Sequence, residues 1–133
     1  MRIAIFGKDY QEEHRQYLQL LINELSLHKV LFIFFKPFLD KIKASVHLPE
    51  EYTVFTSHQD LIVEAEMLFS IGGDGTMLDT IPYVRGSGIP IIGFNLGRLG
   101  FLSSISKDEI KVAIAKIFTG EYILEKRTLL SLE

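Results

Sequence analysis

The chain has no cysteine. Disulfides and thiolate-ligated metal are thereby excluded, and the composition fits a reducing cytosol. No run of like charges and no basic stripe occurs, and the net charge of -3 gives no general attraction to nucleic acid or anionic lipid. Neither is an expected partner. Long apolar runs are also missing. The longest, over 30–35, is too short to cross a bilayer, and the one at 1–7 is too short for a signal peptide. There is no internal repeat and no low-complexity linker. What is there is 133 residues, 47% of them hydrophobic, which suits one domain with a real core, expected to be cytoplasmic.

Strand-like and helix-like patterns alternate along the chain. Residues 2–6 form a short apolar run closed by Gly7, as a buried parallel strand should be. Over 9–27 the apolar residues Tyr17, Leu18, Leu21, Ile22 and Leu25 recur at helical spacing, with charged and polar residues on the other face. Residues 30–35 are β-branched and aromatic and predict a second strand. A short helix over 37–42, a minor strand over 52–56 and a short helix over 60–64 follow. Residues 67–71 predict a strand and 76–84 a helix that Pro82 should end or kink. Another buried strand is expected over 89–94, an amphipathic helix over 107–118 capped by Gly120, and a strand-like stretch over 122–132. This alternation predicts an α/β fold, a parallel sheet with helices on both faces.

Two glycine clusters sit at strand ends. Ile71-Gly72-Gly73-Asp74-Gly75-Thr76 follows an apolar strand and precedes a helical pattern. Glycine lets the backbone turn sharply and approach a ligand, and the turn's N–H groups can face an anion. Asp74 would repel phosphate, so it is a candidate base beside a reacting hydroxyl. The alternative is an ordinary βα turn in which Asp74 caps the helix. Neither the G-x-G-x-x-G fingerprint nor a P-loop is present. The second cluster runs Gly93-Phe94-Asn95-Leu96-Gly97-Arg98-Leu99-Gly100-Phe101-Leu102. Strand C-termini of a parallel sheet share one edge, so both clusters would line one crevice. Arg98 is either a phosphate partner through its planar fork or a solvated loop arginine. His14, His28, His47 and His58 have no metal-ligand spacing and read as scattered surface or partly buried residues.

At these clusters the chain resembles the NAD kinase family. Gly72-Gly73-Asp74-Gly75-Thr76 matches the family's Gly-Gly-Asp-Gly-Thr in full, a motif that lipid kinases share. The segment from Gly93 to Leu102 resembles the second signature, Gly-x-Asn-x-Gly-x-Leu-Gly-Phe-Leu, which lipid kinases and phosphofructokinases replace with others. The resemblance implies a three-layer, Rossmann-like domain of the NAD kinase and diacylglycerol kinase type over 1–120. It implies that 121–133 begins a β-rich C-terminal domain whose remainder, with its Asn-Glu motif, is absent from this sequence.

The implied reaction moves the γ-phosphoryl group of ATP, or polyphosphate, to the 2′-hydroxyl of NAD's adenosine ribose. By the resemblance Asp74 accepts the hydroxyl proton. Gly72, Gly73, Gly75 and Thr76 hold phosphates bridged by Mg²⁺, Asn95 and Arg98 lie near them, and Phe101 packs near the adenine. No residue is assigned as a resident metal ligand. Full-length members form homodimers or homotetramers. Because half of the site would lie in the absent domain, this chain alone is expected to be inactive. A non-catalytic nucleotide-binding module is the alternative, and a lipid kinase domain a more distant one.

Overall fold

The computed structural model describes residues 1–95, 105–106 and 109–119, with 74, 105 and 106 described through their backbone only. Six parallel strands form one sheet in the order β3-β2-β1-β4-β5-β6. They are β1 (Arg2–Gly7), β2 (Leu31–Phe35), β3 (Tyr52–Phe55), β4 (Met67–Ile71), β5 (Ile91–Asn95) and β6 (Ile105–Ser106). The helices are α1 (Arg15–Ser26), α2 (Lys36–Ile42), α3 (His58–Glu64), α4 (Asp74–Leu78), α5 (Ile81–Val84) and α6 (Ile110–Thr119).

The central strands explain the layering. Every residue of β4 is buried, as are Ile3 to Gly7 of β1. Side chains alternate between faces, so burial of consecutive residues requires cover on both sides. α1 packs with α6, and α3 with α5. Leu18, Leu21, Ile22 and Leu25 supply the buried stripe of α1, as their spacing predicts.

Four aromatic rings hold α5 against one end of the sheet. Phe6 lies 4.5 Å from Phe35, Phe35 lies 5.3 Å from Phe55, and Tyr83 of α5 is within 6.0 Å of all three by ring centroid. His58 Nδ1 lies 2.5 Å from the Tyr83 carbonyl. A carbonyl only accepts, so the ring's proton sits on Nδ1 and this histidine ties α3 to α5.

Several expected boundaries shift. The helix over 9–27 is a short 3-10 turn, Glu12–His14, followed by α1. The helix over 76–84 is two helices, broken at Asp79 and Thr80, before Pro82 rather than at it. Proline lacks an N–H and its ring clashes with the carbonyl four residues back, so it is placed in the first turn of α5. β6 was not expected from the sequence. The stretch 122–132 and Gly120 lie outside the described residues.

Candidate functional site

The strand order reverses its direction of growth between β1 and β4, the switch point where ligands bind at open α/β sheets. The register places Gly7 beside Ile71 and Ile71 beside Phe94. One residue further, Lys8, Gly72 and Asn95 follow as a row across the C-terminal edge, spaced by roughly 4.8 Å per strand. The Gly72 N–H donates to the Phe94 carbonyl at 2.9 Å, extending the ladder one step beyond the strand. Asn95 is buried at the end of β5. The described start of the second cluster, Gly93 to Asn95, therefore meets the turn at one edge, joined by a backbone hydrogen bond, while 96–102 lie outside the described residues.

The glycines of the turn differ in why they are glycine. Gly72 has φ +147°, and a Cβ there would lie 2.6 Å from Thr76 Oγ1. Its backbone and its neighbour both demand glycine. Gly73 is extended at φ -103°, and among the described residues a Cβ at Gly73 or Gly75 would meet nothing within 4 Å. The described residues do not require glycine at those two positions. Open space over bare backbone is what close approach of a ligand needs.

Asp74 is the first residue of α4, with Gly73 as the N-cap residue. α4 is only five residues long, so its dipole adds little. Thr80, fully buried, donates its hydroxyl to the Met77 carbonyl at 2.7 Å and closes α4 before α5 begins.

Lys8 was not singled out by sequence reading. Its Nζ lies 2.7 Å from Asp79 Oδ2, joining the end of β1 to the end of α4 across the switch point. The hydrogen bond to Asp79, followed by that carboxylate's charge, raises the Lys8 pKa above its ordinary value. Lys41 approaches from α2, where its ammonium donates to the Lys8 carbonyl and lies 3.7 Å from Asp9. No pattern in the sequence marks Lys8; only the pairing of β1 with β4 brings it to the turn. Arg98 and Phe101 lie outside the described residues.

The model of the ATP-NAD kinase N-terminal domain matches residues 3–122. The chain belongs to that family. Among curated relatives, an NAD kinase of Flavobacterium psychrophilum is 38% identical over all of this chain and 45% of its own length. One of Bacteroides fragilis is 33% identical over 99% of this chain. One of Methanothermobacter thermautotrophicus is 38% identical over 68% of it. The chain thus spans less than half the length of the first two relatives. In structure it is similar to yeast NADH kinase, solved as a complex with NADH, with a TM-score of 0.76 over 91% of this chain and 38% of that one. At 23% identity, that likeness establishes the shared fold. The ATP-NAD kinase fold therefore accounts for the parallel sheet and for the placing of the Gly-Gly-Asp-Gly-Thr turn at its switch point.

Proposed function

We propose that this domain contributes the phosphoryl-transfer half of an NAD kinase, which moves the γ-phosphoryl group of ATP, or of polyphosphate, to the 2′-hydroxyl of NAD's adenosine ribose. The observation that carries the reading is the turn: a carboxylate-bearing residue between Gly73 and Gly75, neither of which the described residues require to be glycine, at the switch point of a sheet whose family is ATP-NAD kinase.

The chemistry asks little of the base. As the ribose oxygen bonds to the γ-phosphorus, the bond to the β-γ bridging oxygen breaks and ADP leaves; Asp74 takes the hydroxyl proton. The transition state is loose, so the hydroxyl remains weakly acidic until late, and orientation matters more than base strength. Gly72, Gly73, Gly75 and Thr76 would hold the phosphates, Asn95 and Arg98 would lie near them, and Phe101 would pack near the adenine.

Among the described residues no group of three or more His, Asp or Glu side chains is arranged to hold a metal. Mg²⁺ would be carried on substrate phosphates and water with at most one or two carboxylates. When bound there, Mg²⁺ neutralises phosphate charge. No helix among the described residues is long and apolar enough to cross a membrane. We assign the enzyme to the cytoplasm and expect the full product to be a homodimer or homotetramer.

The test is Asp74→Asn in the full product of the gene. NAD affinity should stay within a few-fold while turnover falls roughly 10²–10⁴-fold, the usual worth of general-base help. Near-normal turnover would remove Asp74 from the role of base.

A further inference from the structure

Asp79 at the end of α4 pairs with Lys8, and Asp9, which follows β1, lies 3.7 Å from Lys41. Lys41 is occupied with the Lys8 carbonyl and Asp9. A triphosphate arriving at Gly72 and Gly73 carries several negative charges, which a lysine turned toward it would offset alongside Arg98.

Lys8 is placed to do so. Its backbone is next to Gly72 in register, while its ammonium is drawn to Asp79 at the far end of α4, about 7.5 Å along the helix from Asp74. A lysine's four-carbon stem is flexible and its ammonium is a compact point charge, so it can swing between two anions without moving the backbone. The bridge it would leave is weakly held, because 53% of the Lys8 side chain and 45% of the Asp79 side chain are exposed. Asp79 released from it stays solvated. A phosphate chain with several charges competes well for that ammonium.

We propose that Lys8 is a phosphate-binding residue of this site, parked on Asp79 when the site is empty and exchanged onto the nucleotide's phosphate chain when it fills. The assignment rests on the kinase reading for the identity of the nucleotide.

Turnover of the full gene product at varied ATP and saturating NAD tests it. Lys8→Ala should raise KM for ATP about 10–100-fold, the loss of one charge-assisted hydrogen bond, and leave KM for NAD within about twofold. Lys8→Arg should recover most of the loss. Asp79→Asn should leave KM for ATP equal to or below wild type, because the lysine loses its competing anion. If Lys8→Ala and Asp79→Asn raise KM for ATP alike, the pair is a structural strut and the proposal is wrong; an unchanged KM in Lys8→Ala overturns it as well.

A second measurement does not need turnover. In ¹³C-lysine-labelled protein titrated with ATP, the Lys8 ε-methylene resonance should shift along with those of the turn. If the wild type forms no NADP⁺ yet Lys8 shifts, the kinase reading falls and the lysine assignment stands. If NADP⁺ forms while Lys8 stays unmoved at saturating ATP, the lysine assignment falls alone. No response of either kind overturns both.

Discussion

At Gly72 an added Cβ would be strained at φ +147° and would press on Thr76 Oγ1; at Gly73 it would meet none of the described residues, in a conformation any residue adopts. The two neighbours can therefore be separated by experiment. Gly72→Ala should cost about 1–3 kcal/mol of stability, the usual penalty for a side chain forced into that region. Gly73→Ala should stay within about 1 kcal/mol of wild type, yet lower turnover of the full product by about tenfold or more by blocking the ligand's approach. Thermal melts beside steady-state rates decide it. A Gly73→Ala protein that keeps its turnover would show that the space is not used. The sequence displayed both glycines as one motif and could not divide them, because the division depends on φ and on where Thr76 lies. Lys8 was illegible for a related reason. It follows Gly7 at the end of an ordinary buried strand, and its nearness to the turn comes from a pairing between residues more than sixty apart in the chain.

Among the described residues, those at the start of α3 fix it with side chains that can be tested singly. Ser57 is its N-cap and accepts from the Asp60 N–H at 3.2 Å, while Asp60 Oδ2 accepts from both the N–H and the hydroxyl of Thr56 at 3.2 Å. This is the reciprocal logic of a capping box displaced by one residue. Ser57→Ala should cost about 1 kcal/mol in a denaturant melt. The hydrogen bond from the Thr56 backbone, ahead of the Thr56 hydroxyl and Ser57, holds the Asp60 carboxyl below its ordinary pKa. Arg2 does the same for Glu66 through its side chain and backbone N–H. A carboxyl lowered in the folded state stabilises above its unfolded pKa and loses that stabilisation as pH falls through the folded value. Melting temperature should therefore decline below about pH 4, with a shallower decline in Asp60→Asn. An identical acid profile in that variant would remove Asp60 from the account. Elements with strong patterns were legible: β4 lies where its apolar run predicts, and α2 within a residue of its expected start. β6, two residues long, carries no periodicity to read. The break before Pro82 was legible as a disturbance but not as two helices, because the proline's clash acts on the carbonyl four residues upstream.

For the whole molecule, the separation of core from chemistry matters most. The sheet from β3 to β5 buries Ile3, Phe34, Leu68, Phe69 and Phe94 completely, with α1 and α6 packed together and the seam marked by His28 stacked on Phe118 at 4.1 Å. That core is built by described residues, and it should support a cooperative unfolding transition in the 133-residue chain. The active site follows a different rule. The relatives' NAD kinases are more than twice as long as the part this chain matches, so much of their surface has no counterpart in these residues. A turn at the C-terminal edge of a sheet supplies one wall of a crevice, and orienting a ribose hydroxyl against a phosphate needs the opposite wall too. We therefore expect the 133-residue chain, expressed by itself, to melt as one unit while forming negligible NADP⁺ from NAD and ATP in a coupled assay. Robust turnover by that chain would mean that the donor and acceptor are both held by the edge described above, and that the rest of the relatives' length serves some purpose other than completing the site.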